Sequence, residues 1–470
     1  MWQNYNPIFI LFFFSSICLG ELVQSNNELL YLDIEEHTLD NGMRIFIAPD
    51  YDQPVVSYYF FINRGYLDSP NGNYELTTEM INRMHFGTKK YPHRKEMQKL
   101  FISLGNHPWF RDNLRSDNIE YWATFLKEDS YRGLSFIADY IQNPTYKSIW
   151  NIFFKLFGIV IKDQEEPDAD DILKYHIKDM FYSQPGFNEE HNFSQKDFSI
   201  KKMKKWHDTI IQPKSTTLVV MGDININYIK KITSELFGNW ESSISLPEKI
   251  QFESNLKKDS GIKIRFIEMP KSKEAHISIM FNGFARSDSN YYAQELLNSI
   301  LAGGNSSRLR QNVWSEFNEY GNIELKSNSS ERAHFLKLYV NAQYSNLDLK
   351  YKSILNEIDK INKGTITNEE IDIHKLKINR KRIRDKFGSH YKFSRVLAEA
   401  VSIGENPNIF FNEEIDNFNR VSLEDVNRIA KEIFNPTNFI IAVVGNKDSS
   451  ATFLNNFDNI EYYSYKDKLE

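Results

Sequence analysis

The feature that most limits how this chain can fold is an internal duplication. Residues 199–223 read SIKKMKKWHDTIIQPKSTTLVVMGD, and residues 422–446 read SLEDVNRIAKEIFNPTNFIIAVVGN. Ser199 and Ser422, Pro213 and Pro436, and Gly222 and Gly445 are each 223 residues apart. Such self-similarity means one structural unit used twice. In each copy apolar residues recur at helical spacing: Ile200, Met203 and Ile210 in one, Val426, Ile429 and Ile433 in the other. A proline then stops the helix, and a short β-branched run ending in glycine predicts a strand.

The fronts of the two halves repeat as well. Residues 43–49 (MRIFIAP) and 55–62 (VVSYYFFI) match residues 262–270 (IKIRFIEMP) and 276–281 (HISIMF). Each pair leads into an Asp-containing loop and then a helix. The order in each half is strands, helix, strands, helices, strand. It predicts an α+β chain of two homologous domains, each a mostly antiparallel sheet with helices packed on one face. The expected boundaries are a first domain over 26–241, a polar linker over 242–258 and a second domain over 259–470.

Composition supports two cores. The chain has 470 residues with 35 Phe and 25 Tyr, which excludes a disordered chain. A net charge of −6 supplies no field for nucleic acid. A single cysteine excludes a disulfide framework or a multi-cysteine metal site. Residues 8–19, IFILFFFSSICL, are short for a membrane span and suit the apolar core of a signal peptide over 1–25. This predicts export, periplasmic or extracellular in a bacterium. The preceding MWQNYNP lacks Lys and Arg, so an uncleaved anchor or a buried strand stays open. No other stretch is long and apolar enough to span a bilayer.

Residues 39–92 carry a resemblance. Leu39 to Gly42, Pro54 to Val56, Arg64 to Asp68 and Gly87 to Pro92 occur in the order seen in the insulinase/pitrilysin zinc metallopeptidases. In the second half, residues 302–313 (AGGNSSRLRQNV) resemble that family's Gly-rich, Ser-Ser-Arg-Leu segment. The resemblance covers about residues 30–450. It implies the metallopeptidase fold of LuxS and the processing peptidases, in its half-length form.

The resemblance also implies chemistry that this chain lacks. The family's helix carries His-x-x-Glu-His: two His grip Zn²⁺ and the Glu acts as general base. Counted back from Gly87-Thr88, those positions hold Thr78, Ile81 and Asn82. A hydroxyl and an amide are poor zinc ligands, and Ile81 cannot take a proton. The third ligand falls on or near Ile159; a slip of one turn would place Asp163 there. His85, His93, His107 and Glu79 lie nearby but off the motif register and read as ordinary surface or core residues. The expectation is no metal, no cofactor and no catalytic residue.

Substrate-facing positions are altered too. The family's substrate-pairing edge strand follows a Leu-Gly-Gly turn with Asn-Ala. Here Leu104-Gly105 is followed by residues 106–121 (NHPWFRDNLRSDNIEY), which puts Trp109 and Phe110 near the lost pair. In the second half the family's substrate-binding Arg and Tyr fall on Trp314 and Gly321, with Tyr320 one residue off register. Candidate substrate-facing residues are therefore Trp109, Phe110, Arg308, Trp314 and Tyr320. The basic run 375–386 reads as a solvated helix face. By resemblance the chain is expected to be a non-catalytic subunit, paired with a homologous subunit carrying an intact zinc motif and binding peptide or unfolded protein. A structural or assembly subunit is the alternative, and a zinc peptidase with an atypical site a third reading.

Overall fold

The computed structural model describes residues 34–70, 74–106, 111–146, 168–182, 199–256, 261–317 and 323–467. Two six-stranded sheets organise them. The first contains β1 (Glu35–Thr38), β2 (Arg44–Pro49), β3 (Val55–Ile62), β4 (Arg111–Leu114), β5 (Ile119–Leu126) and β6 (Thr216–Gly222), in the order β1-β2-β6-β3-β5-β4. The second contains β7 (Lys263–Glu268), β8 (Ala275–Asn282), β9 (Ile323–Ser329), β10 (His334–Ala342), β11 (Ile440–Gly445) and β12 (Ile460–Ser464), in the order β12-β7-β11-β8-β10-β9. Five strands correspond one to one. β2 and β6 run parallel, as do β7 and β11. The next three pairings in each sheet are antiparallel. The sixth strand differs: β1 joins β2 antiparallel, whereas β12 joins β7 parallel.

Each half keeps its own helices on one face, the expected α+β layout. α1 (Tyr74–Met84), α2 (Arg94–Ser103), α3 (Ser130–Gln142), α5 (Ile200–Ile210) and α6 (Ile226–Phe237) belong to the first half. Their apolar residues share one core with Ile45, Ile47, Tyr58, Phe60 and Val220 of the sheet. α7 (Tyr291–Ala302), α8 (Leu347–Asn362), α9 (Asn368–Gly388) and α12 (Leu423–Ile433) pack likewise on the second sheet.

The opposite face of each sheet is covered by a helix from the other half. α4 (Ala169–Phe181) comes from the first half. Its Ile172, Leu173, Ile177 and Phe181 pack on Met280, Phe335, Ile440 and Val444 of the second sheet. α10 (His390–Ile403) and α11 (Pro407–Arg420) come from the second half. Phe393, Leu397, Ala398 and Phe411 pack on Phe46, Tyr59, Phe61, Val219 and Met221 of the first. This exchange explains the unbroken apolar runs. A strand with one face in water alternates apolar with polar residues, but a strand covered on both faces does not. Every residue of β6 and of β11 is buried. Each fully buried large apolar side chain contributes about 1.5–3 kcal/mol, so the two halves are joined by more than their linker.

Polar links follow the same exchange. Arg265 of β7 reaches Asp179 of α4 at 2.6 Å. His276 of β8 lies 3.1 Å from Asp170 and 2.9 Å from Tyr339. His390 of α10 reaches Asp50 at 3.0 Å, and Tyr391 stacks on Trp122 with ring centres 4.4 Å apart.

Candidate functional site

α1 begins a few residues after the short turn Tyr66–Asp68. Gly65 is needed before that turn, because a Cβ there would stand 2.2 Å from the Ser116 carbonyl oxygen. Asp68 closes the turn by accepting from the Gly65 amide at 2.9 Å. Ser69 and Trp206 then fix the helix from below. The Thr77 hydroxyl lies 2.6 Å from Ser69 Oγ and accepts from Trp206 Nε1 at 2.8 Å. The structure therefore sets α1 firmly, with a defined face toward the core.

The three motif positions lie on one stretch of this helix in different surroundings. Ile81 is 4% exposed and belongs to the apolar core with Met80 and Met84. Thr78 is half-buried and Asn82 is exposed. A hydroxyl, a hydrocarbon and an amide do not make a donor set for Zn²⁺, which takes thiolate, imidazole or carboxylate. The residues here do not fit the metal of the motif, and no step through a metal follows from them. Ile159 and Asp163 lie outside the described residues. Among the described residues no group of three His, Cys, Asp or Glu is placed to hold an ion.

The neighbouring polar residues are committed elsewhere. Tyr140 OH lies 3.2 Å from His85 Nδ1, and His85 Nε2 lies 2.7 Å from Asp112 Oδ2 on β4. Burial keeps the Tyr140 phenol well above its usual pKa, so it is the donor to Nδ1. Both ring nitrogens of His85 are thus used. Glu79 pairs with Arg83 one turn along, and His93 is exposed at the start of α2. Beside α1, β4 is an edge strand and pairs with β5 alone among the described strands. An edge of this kind offers backbone N–H and C=O groups to an added extended chain.

The other candidate residues separate. Arg308 lies against α9 and donates to Glu370 Oε1 at 2.7 Å and Oε2 at 2.8 Å, and to Thr365 Oγ1 and O. Four of its five N–H donors are spent inside the second half, so the structure gives it a bracing place rather than the substrate-facing one expected. The backbone of Trp314 ends a π-helical segment, Leu309–Trp314. Trp109, Phe110, His107, Tyr320 and Gly321 lie outside the described residues, as does the apolar run 8–19. No described helix is long and apolar enough to cross a membrane.

Sequence reasoning missed a buried ionic junction between the halves. Arg332 is 2% exposed. It pairs with Asp68 at 3.0 Å and donates to the Ile250 and Leu67 carbonyls. Asp68 also takes Arg64 at 3.0 Å. Nothing local in residues 329–335 (SSERAHF) separates this arginine from a surface one; only its partners from the first half do.

Comparisons with known proteins agree with this architecture. The family model for the peptidase M16 inactive domain matches residues 197–378. An uncharacterized zinc protease of Bacillus subtilis, YmxG, is 21% identical over 412 residues, which is 85% of this chain and 96% of that protein. The zinc protease PqqE of Helicobacter pylori is 25% identical over 197 residues, covering 39% of this chain and 41% of its own. Among solved structures, a protease from Helicobacter pylori superposes with a TM-score of 0.76 at 16% identity, over 88% of this chain and 100% of that one. The first half of the periplasmic protease PqqL from Escherichia coli superposes at 0.66 and 13% identity, over 90% and 94%. The full PqqL chain is matched over 48% of its length. With the duplicated α+β halves and the ordered turn motifs of residues 39–92, these likenesses support an insulinase/pitrilysin-like (M16) homologue.

Proposed function

We propose that this chain is a catalytically inactive insulinase-like subunit, exported and paired with a homologous subunit that carries an intact zinc motif. The observation that carries the reading is Ile81. It stands at the general-base position and its side chain is buried among core methionines, where it can neither take a proton nor touch a water. Thr78 and Asn82 beside it add no zinc ligand. Two further points support the pairing. The match spans 48% of the PqqL chain, and among the described strands β4 pairs with β5 alone, an edge on which an extended peptide held by the pair would add as a strand. Export rests on residues 8–19 and on the periplasmic setting of PqqL.

The purified chain is expected to hold no stoichiometric zinc, to keep its melting temperature in chelator, and to leave unfolded protein uncleaved. Isolated from its native source under gentle conditions, it is expected to bring down a similar chain with an intact His-x-x-Glu-His. One tightly held zinc per chain, with chelator-sensitive cleavage that survives purification, would sink the reading. The register has its own test. Thr78→His, Ile81→Glu and Asn82→His together, with Ile159→Glu, should create zinc binding that raises the melting temperature, which the parent chain will not show. If zinc stabilises neither, the helix register or the place of Ile159 is wrong.

A further inference from the structure

The basic run 375–386 (KLKINRKRIRDK) lies on α9, and the function proposed above leaves it unused. The structure divides the side chains of this helix by direction. On its inner face Ile371 and His374 are buried, and His374 Nδ1 lies 2.8 Å from Ser299 Oγ of α7. Along the seam with α11, Lys375 donates to the Asn419 carbonyl at 2.8 Å and Arg382 donates to Glu414. On the outer face Ile373, Leu376, Lys377, Arg380, Lys381 and Arg384 are all exposed. Their spacing of i, i+3, i+4, i+7, i+8 and i+11 puts them on one stripe, about 16 Å long from the helical rise per residue. Its two apolar members, Ile373 and Leu376, are 49% and 39% exposed and so stand largely in water.

The acids around α9 are drawn away from this stripe. Glu370 takes Arg308 at 2.7 and 2.8 Å. Glu414 takes Arg286 and Arg382, and Asp385 takes Lys392 of α10 at 2.6 Å. Arg384 stays 3.9 Å from Asp385, beyond hydrogen-bond reach, and its side chain is 74% exposed. Among the described residues no carboxylate pairs with Arg380 or Lys381. Lys377 spends one N–H donor on the Gly303 carbonyl and keeps two. The exposed acids nearby are Glu369 and Asp372, at the N-terminal end of α9, and Glu413 and Asp416 on α11. The last two turns of the stripe therefore present four cations together, just beyond the apolar pair.

That combination selects among anionic partners. A polyphosphate or a nucleic acid would satisfy the cations and leave Ile373 and Leu376 in water. A phospholipid surface takes both. Apolar side chains enter the acyl boundary, while Lys and Arg lay their stems along it and keep their charged ends at the phosphates. We propose that the outer face of α9 docks the chain on an anionic phospholipid surface, with Ile373 and Leu376 in the acyl boundary and Lys377, Arg380, Lys381 and Arg384 on lipid phosphates. The helix lies on the surface and does not cross it. The inference stands on α9 alone and is independent of the pairing with a zinc subunit.

The test is co-sedimentation of the full chain with vesicles of phosphatidylcholine alone and of phosphatidylcholine and phosphatidylglycerol in equal parts. Residues 8–19 carry no charge and contribute alike to both, so the difference between the two vesicles reads the cations. The mixed vesicles should bind about tenfold more tightly or better, and rising salt should remove the difference. Arg380→Ala, Lys381→Ala and Arg384→Ala should each weaken binding to mixed vesicles about fivefold, and the triple variant should bind both vesicles alike. Arg380→Lys should behave as the parent. Ile373→Ser with Leu376→Ser should weaken binding at low and high salt alike, which a purely ionic contact would not show. Equal binding of the parent to both vesicles, binding to neither, or a triple variant that keeps the preference would overturn the proposal. So would polyglutamate bound as tightly as mixed vesicles with no effect of the Ile373 and Leu376 changes, which would give the stripe to a soluble polyanion. The lipid and salt comparison on the parent chain decides even where a variant fails to fold.

Discussion

The two halves of this molecule are copies of one unit, and the places where they differ show what each copy was free to change. β6 and β11 end on Gly222 and Gly445, equivalent positions with different demands. Gly222 has φ +135°, and a Cβ there would stand 2.0 Å from the Val55 carbonyl oxygen. Gly445 is without positive φ, and its nearest neighbour would be the Tyr344 hydroxyl at 3.2 Å. The helices that follow the same logic diverge at their caps. Ser199 accepts from the Lys202 amide alone, whereas Ser422 and Asp425 cap each other reciprocally. The fold keeps the plan, and only geometry at each site decides whether the residue must be kept.

The largest expected contrast is at the glycines. Gly222→Ala should cost about 3 kcal/mol or more, through backbone collision and a strained φ. Gly445→Ala should cost about 1 kcal/mol or less. Denaturant melts of both variants measure this, and equal losses would mean that the two strand ends are not as different as their geometry.

The exchanged helices come next. Leu397 of α10 and Ile177 of α4 are both fully buried, each against the other half's sheet. Each change to Ala should cost about 2–4 kcal/mol. The chain should still unfold in one transition, because each helix ties the halves together. Two separate calorimetric transitions in the unaltered chain would break the symmetric picture.

A third contrast sits at one lattice position. By strand register, Glu120 of β5 faces Phe61 and Lys337 of β10 faces Met280. Glu120 is buried with Arg115 at 3.0 Å and Asn113 at 3.2 Å. Lys337 is lowered to about 8, first by burial and then by Lys178, Lys326 and Lys174, with Glu324 opposing. A lysine that loses its proton earlier in the folded state than in the unfolded one destabilises the fold while charged. Lys337→Met should therefore stabilise by about 1–2 kcal/mol at pH 7. That advantage should shrink as pH rises from about 8 toward the ordinary value of 10.5. Melting temperatures of the pair across that window check the sign.

The smallest contrast is at the caps. Ser422→Ala should cost about 1 kcal/mol and Ser199→Ala about 0.5 kcal/mol, since only the first breaks a reciprocal box. Urea midpoints for the two variants would resolve the difference.

The sequence contains no His-x-x-Glu-His, and counting back from Gly87-Thr88 places Thr78, Ile81 and Asn82 at the expected motif positions. What the sequence left open was their surroundings. Ile81 could have pointed at solvent; the structure buries it with Met80 and Met84. Arg308 looked available for substrate until its guanidinium was found on Glu370 and Thr365. The pairing of Arg332 with Asp68 joins residues far apart in the chain, and no short segment announces it.

By itself, the sequence determined the duplication and the alternation of strands and helices in each copy. Those are local properties: periodicity, turn residues and side-chain type act over a few neighbours and survive any arrangement of the rest. The tertiary structure alone decided that α4 covers the second sheet and α10 the first. An amphipathic helix fixes which of its faces is buried, but not which apolar surface buries it. That choice belongs to long-range chain geometry, and the same geometry brings the β4–β5 and β9–β10 turns together, where Ser330 Oγ donates to Asp117 Oδ2.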